Sequence, residues 1–345
     1  MAGGRYPGGM RALLVVNPRA TAATHRARDL LVEGLGSDVA VAEAVTEYCG
    51  HGIALARRAV ERGHDLVVAL GGDGTVNEVV NGLLADGPDP ALPRCAVVPC
   101  GFANIFARAL GVPNHPLAAV ERLIGALRED RCRTVSMGVA GERYFTFCAG
   151  LGFDAAVIRR VERLRSAGRR STAGVYIRSA LREYVAGASG RRATISVHLA
   201  DGRELPPVVL AIVTNTTPWT YLGPRALSPT PLAAFETGLD VFAMTSFGAV
   251  PAVRSVLRLL TGSHRVADPR WSVALHDLSE FTVRAPEPVD FQLAWKAESG
   301  VVSANTEGQL RTKTWPELAK WHANEPQQGV VHLHRDGAPF GRARP

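Results

Sequence analysis

The sequence predicts an α/β fold in which a parallel-sheet domain is followed by a mainly antiparallel β domain. Three observations carry this. Between residues 12 and 110, short apolar runs alternate with stretches of helical period. Glycine and small polar residues recur where those apolar runs stop. Beyond about residue 131 the pattern changes to short β-rich segments with few helices.

Residues 12–16 (ALLVV) read as a strand that ends at Asn17-Pro18. A helix over 22–33 leads to a second strand, Val39–Ala44, closed by Thr46. The next helix, 51–62, carries Ile53, Leu55, Ala56, Ala59 and Val60 near one face. Asp65–Leu70 is a buried strand, and Gly71-Gly72 stops it. Residues 75–84 are helical, and a Pro/Gly/Asp loop leads to strand 95–98. Pro99–Gly101 then turns the chain into a helix over 102–110. Alternation of this kind implies a parallel sheet covered by helices, with ligands at the carboxyl ends of the strands. Asn17, Thr46, Gly71–Thr75 and Gly101–Asn104 all fall at such ends.

The later strands are expected at 133–139, 143–147, 193–199, 208–214, 239–243, 271–275, 281–284 and 289–293, with one helix near 250–260. The domains read as 10–130 and 131–293, and the cleft between domains is the default site. Residues 294–345 are set apart as a tail. All three lysines (Lys296, Lys313, Lys320) and Trp295, Trp315 and Trp321 lie there, its hydrophobic period is poor, and poor order is expected.

LGGDGTVNEVVNG at 70–82 is the segment richest in chemistry. A glycine turn between a buried strand and a helix offers backbone N–H groups and the positive end of a helix dipole to an anion. Glycines allow the main chain to approach a phosphate closely. Asp73 adds a carboxylate able to act through Mg²⁺ or to hold a ribose hydroxyl. The plainer alternative is a strand-to-helix turn capped by Thr75.

Composition narrows the chemistry. No lysine precedes residue 296, so neither the lysine of a P-loop nor the strand lysine of a protein kinase is available. Phosphate must be held by backbone N–H groups, Mg²⁺ and arginine. The five cysteines form no CxxC pair, which argues against a zinc site or a disulfide framework. No apolar stretch approaches membrane-span length, and the N-terminus lacks the layout of a signal peptide, so a cytoplasmic protein is expected. The net charge is +7, yet residues 157–192 alone hold ten Arg and two Glu. This basic segment suits anionic lipid headgroups at a membrane surface. Aromatic residues there are sparse, only Tyr176 and Tyr184, which argues against nucleic acid. Sheet edges in the second domain leave a homodimer open.

Several separated motifs together resemble the diacylglycerol kinase catalytic-domain family, which includes bacterial lipid kinases and sphingosine kinases. NAD kinases share the GGDGT turn more distantly. The resemblance rests on Asn17-Pro18, Thr46, GGDGTVNEVVNG, PCGFANIFARALGVP at 99–113, CAGLGFDAAV at 148–157 and TGLDVFA at 237–243, and covers roughly residues 10–293. It implies an α/β nucleotide domain, a β-sandwich domain, and Mg²⁺-dependent transfer of the γ-phosphoryl group of ATP to a lipid hydroxyl. It implies that Asn17, Thr46, Gly71, Gly72, Asp73, Gly74, Thr75, Glu78, Gly101 and Asn104 hold ATP, and that Asp154 faces the acceptor cleft. Peripheral association with a membrane is expected through the basic segment 157–192.

The chain departs from the family in four places. Phe102 stands where a hydroxyl residue is usual, and Ile105 where an Asp is common. Thr237-Gly238 replaces the usual Asp-Gly, leaving Asp240 as a substitute metal ligand. The family's base lies in an Asp-Gly-Glu-type turn after the strand matching Val289–Leu293, where this chain has Ala294-Trp295-Lys296. Asp290 and Asp336 are the candidates for it. The family's final strand also returns to the first domain, which the pattern of this tail does not predict. The alternatives are therefore a member that binds nucleotide or lipid without turnover, or a kinase for a soluble acceptor such as NAD.

Overall fold

A computed structural model describes residues 9–18, 22–36, 39–167, 172–187, 193, 195–246, 248–262, 266–284, 289–293, 296–302, 308–313 and 330–332. The chain divides into two compact units, Met1–Ser136 with Lys313–Pro345, and Met137–Thr312.

The first unit runs β1 (Met10–Val16), α1 (Ala22–Leu35), β2 (Val39–Val45), α2 (His51–Glu61), β3 (Leu66–Gly71), α3 (Asp73–Leu83), β4 (Arg94–Pro99), α4 (Ile105–Ala109), α5 (Pro116–Arg128) and β5 (Arg133–Thr134). β1 pairs in parallel with β2 and β3, and β3 pairs in parallel with β4. All six residues of β3 are buried, as a strand with helices over both faces must be. The strand order β2-β1-β3-β4 reverses direction at β1, so the crevice at the ends of β1 and β3 is the switch point of the sheet. α5 was not anticipated, although Pro116 opens it at a position where a missing N–H is harmless.

The second unit opens with β6 (Met137–Ala140), β7 (Arg143–Phe145), β8 (Cys148–Gly152), α6 (Phe153–Ser166) and α7 (Ala173–Gly187). It continues with β9 (Ser196–Leu199), β10 (Leu210–Thr214), β11 (Thr220–Leu222), β12 (Arg225–Leu227), β13 (Leu239–Met244), α8 (Ala249–Thr261), β14 (Ser272–Leu278), β15 (Glu280–Arg284), β16 (Val289–Leu293), β17 (Lys296–Val302) and β18 (Gly308–Lys313). The sheets are β14-β13-β10-β8-β16-β17, β7-β6-β18-β15-β9 and the pair β11-β12. Every pairing in this unit whose register is described is antiparallel. Val209, Leu210, Ile212, Phe242, Met244 and Val266 form one buried cluster here, and Leu259 of α8 packs on it.

Two expectations change. The single strand expected over 133–139 is two strands, β5 and β6, belonging to different units, because the unit boundary falls at Ser136. The stretch from residue 294 contributes β17 and β18 to the second unit, and β19 (Val330–His332) returns to the first. β19 lies between β4 and β5, antiparallel to the former and parallel to the latter. Backbone pairing asks little of side-chain pattern in a three-residue strand, which is why periodicity did not reveal it.

α2 and α3 pack closely at Gly82. A Cβ there would lie 2.3 Å from the Ile53 carbonyl oxygen and 2.7 Å from the Ala56 Cβ. Alanine gains about 1 kcal/mol in helix propensity over glycine. Overpacking costs about 1–3 kcal/mol, and a backbone carbonyl cannot swing aside. Crowding should win, so Gly82→Ala is expected to lower the urea midpoint of unfolding; a raised midpoint would show that the helices separate freely.

Candidate functional site

The turn after β3 is built for close approach. Gly72 is the N-cap of α3, in extended conformation, and no side chain caps this end. Thr75 is therefore not the cap that the plainer reading supposed. It sits inside the first turn, and its Oγ1 accepts a hydrogen bond from Asn17 Nδ2 at 2.9 Å. That bond ties the end of β1 to α3 across the switch point. Gly72 has no side chain to cover this end, and unpaired N–H groups of a first helical turn favour an anion.

The turn after β4 closes against it. Cys100 N–H donates to the Gly71 carbonyl at 2.9 Å, extending the β3–β4 ladder into the turns. Gly72 and Gly101 then meet backbone to backbone. A Cβ on Gly101 would lie 2.5 Å from Gly72 Cα, and one on Gly72 would lie 3.1 Å from Gly101 Cα. Asn104 shapes the second turn from the left-handed region, at φ 49°. Asparagine tolerates that region better than most residues. Its Oδ1 accepts from Gly101 N–H at 2.9 Å, and its Nδ2 donates to the Gly101 carbonyl at 3.1 Å and to Asn114 Oδ1 at 2.7 Å.

Asp73 and Glu78 have structural partners. Asp73 Oδ1 accepts from Phe106 N–H at 3.1 Å, so the carboxylate rests on the start of α4. Burial raises its pKa to about 6, against the lowering pull of the Ile105, Phe106 and Asn104 N–H groups. Glu78 Oε2 accepts from Gly52 N–H at 3.1 Å, and Cys49 Sγ lies 4.0 Å from Oε1. Glu78 thereby anchors the segment that follows Thr46, itself buried and bonded through its N–H to the Val16 carbonyl at 2.9 Å. Beside Thr46, the rings of Tyr48 and His51 stack at 4.6 Å with planes 4° apart. Sequence reading passed over that pair, because only the fold brings the rings together. Phe102 is 59% exposed at the second turn.

In the second unit, Asp154 lies in the first turn of α6. Its carboxylate sits over Gly150 of β8, where an added Cβ would clash with Asp154 Oδ2. Burial raises the Asp154 pKa to about 7. Asp240 is buried in β13, with its Oδ1 2.8 Å from His276 Nδ1 and accepting from Asp277 N–H at 3.1 Å. Burial raises its pKa, opposed by those bonds. Asp290 belongs to β16 and pairs across to Val301 of β17. Asp336 lies outside the described residues. Among the described residues no three His, Cys, Asp or Glu side chains are grouped to hold a metal. A Mg²⁺ that arrives on nucleotide needs few protein ligands, since phosphate and water supply most of its shell.

Comparisons with known proteins agree on the first unit. Residues 11–138 match the family model described as the diacylglycerol kinase catalytic domain. A YegS-like lipid kinase of Chromohalobacter salexigens is 43% identical over 119 residues, 34% of this chain and 36% of that protein. A diacylglycerol kinase of Staphylococcus haemolyticus is 38% identical over 107 residues, 31% of this chain and 30% of that protein. The chain thus matches about a third of the length of these curated relatives. The crystal structure of a diacylglycerol kinase from Bacillus anthracis strain Sterne superposes with a TM-score of 0.65 at 20% identity, covering 94% of this chain and 97% of that one. At that identity the likeness speaks for the fold.

The folded Asp73 carboxyl keeps its proton up to about pH 6, whereas the unfolded one releases it near the ordinary 3.8. The folded state binds the extra proton across that window, so the stability contributed here falls as pH rises through it and stays low above it. Asp73→Asn keeps an oxygen for the Phe106 N–H and removes the titration. The variant should gain on the wild type between those pH values, by up to about 3 kcal/mol at pH 7, in urea unfolding. Parallel pH profiles would contradict this.

Proposed function

We propose that the chain, whose residues 11–138 match the diacylglycerol kinase catalytic domain, transfers the γ-phosphoryl group of ATP to a hydroxyl of diacylglycerol or a related lipid. The observation that carries this reading is the uncapped start of α3 at the switch point, flanked by Asn17 and the Gly72–Gly101 contact. Such a site suits the phosphates of a nucleotide. Asn17 and Thr75 present polar atoms beside it, and Asp73, Glu78 and Asn104 hold the surrounding turns in register. Mg²⁺ bound with the nucleotide would neutralise charge on the phosphates during transfer. Catalysis of this kind is mostly positioning, so rigid turns serve it well.

The acceptor side of the proposal rests on Asp154. A carboxylate that titrates near 7 is suited to take the proton of an attacking hydroxyl. Association with a lipid surface is supported by α7, where Ile177, Leu181 and Val185 form an exposed stripe at four-residue spacing in a segment rich in arginine. No helix among the described residues is long and apolar enough to cross a membrane.

A second reading, nucleotide or lipid binding without turnover, is favoured by two observations. The Phe102 side chain has no group to bond phosphate. The connection between Leu293 and Lys296, paired across the β16–β17 hairpin, is Ala294-Trp295 and carries no carboxylate.

Transfer of labelled phosphate from Mg-ATP to diacylglycerol in mixed micelles tests the proposal, with NAD and no-acceptor reactions in parallel. Label in lipid alone is expected. ATP binding without label in any acceptor would establish the second reading, and label in NAD would move the acceptor to a soluble dinucleotide. Activity should rise as Asp154 ionises through about pH 7. Asp154→Asn should remove that rise and cost roughly 100-fold or more in kcat; a variant that keeps the wild-type rate and pH profile would rule Asp154 out as the base.

A further inference from the structure

The arginine-rich segment holds a formed cavity. Between α6 and α7 lies a pocket of about 320 Å³, lined among others by Arg160, Thr172, Arg178, Ser179 and Arg182. Its volume is at the low end for small-molecule sites. Arg160 is already paired, with Glu183 Oε1 at 2.9 Å. Arg178 and Arg182, one turn apart on α7, have no acidic partner among the described residues. Ser179 stands between them in sequence and is 1% exposed, yet its Oγ has no hydrogen-bond partner. A serine within a helix ordinarily turns its hydroxyl back to a carbonyl one turn earlier. Here Ser179 lines a cationic pocket, and its hydroxyl is buried and unbonded while the pocket is empty.

We propose that this pocket binds a doubly charged phosphate group, as a phosphate monoester or free phosphate presents it. The charge count selects the class. Two unpaired guanidinium groups match the charge of about −2 that a monoester carries near neutrality, whereas a phosphodiester carries about −1. Guanidinium forks bond phosphate oxygens in pairs, and Ser179 Oγ supplies a further donor from the wall. The ligand is either the headgroup of a lipid phosphate or free phosphate, which share this chemistry. The site belongs to the second unit and stands whether or not the chain is a kinase.

The test uses the full-length protein. Inorganic phosphate is titrated calorimetrically and by thermal shift against chloride at equal ionic strength. Flotation is measured with phosphatidylcholine vesicles containing phosphatidic acid, or phosphatidylglycerol at matched surface charge. Wild type should bind phosphate or prefer phosphatidic acid, and Arg178→Ala/Arg182→Ala should lose this. Arg58→Ala/Arg225→Ala, which removes the same charge elsewhere, should not. Ser179→Ala keeps every arginine and guards against a misfolded double variant. It should weaken phosphate binding roughly tenfold while leaving the unliganded Tm equal or higher, because a buried hydroxyl without a partner contributes nothing to the empty fold. Phosphate binding without a vesicle preference would assign free phosphate. A preference for phosphatidic acid alone, lost in Ser179→Ala, would assign the lipid headgroup. Absence of both, equal binding of the two vesicles with equal loss in both double variants, or an unaffected Ser179→Ala would overturn the proposal.

Discussion

The first unit depends on two turns closing on each other. Gly72 and Gly101 touch through their backbones, Cys100 N–H reaches the Gly71 carbonyl, and the Asp73 carboxylate bridges to the Phe106 N–H. These contacts fix the direction in which α3 leaves the sheet. A side chain at either glycine would push the turns apart and tilt the open end of α3 away from Asn17. The carboxylate adds electrostatic weight, since a negative group at the start of a helix is favoured where backbone N–H groups are unpaired. Its burial opposes that gain, and the raised pKa of Asp73 is the residue of the two effects.

Three residues expected to meet ligand directly have partners within the protein. Asp73 bonds α4, Glu78 bonds the start of α2, and Asn104 bonds its own turn. Together with the Asn17–Thr75 bond they join the ends of all four parallel strands into one frame. With these side chains engaged inside the protein, the glycine turns and the start of α3 put main chain at the ends of the strands. That agrees with a unit whose first 136 residues contain no lysine.

Much of this was legible in the sequence, and the remainder was not for identifiable reasons. The buried run of β3 and the glycines after it announce a strand, a turn and a helix, and the strand ends at Asn17, Thr46 and Gly101 follow the same logic. Residue type at the site was therefore readable. Side-chain direction was not, because Asp73 in a glycine turn reads identically whether its carboxylate faces ligand or a neighbouring helix. Gly150 illustrates the limit in the second unit. It looks like part of a turn, yet it lies within β8, and its missing side chain makes room for the Asp154 carboxylate. The β5–β6 boundary and β19 were hidden because two- and three-residue strands carry no period.

β19 gives the order of synthesis a structural meaning. Residues 137–312 are translated before the strand that fills the gap between β4 and β5. During synthesis β4 therefore waits with one edge unpaired, a surface prone to sticking to other chains, until residue 332 leaves the ribosome. Every residue of the inserted unit is available earlier. A premature stop between 312 and 330 would spare all of that unit and leave open the sheet that carries the glycine turns, more than two hundred residues upstream.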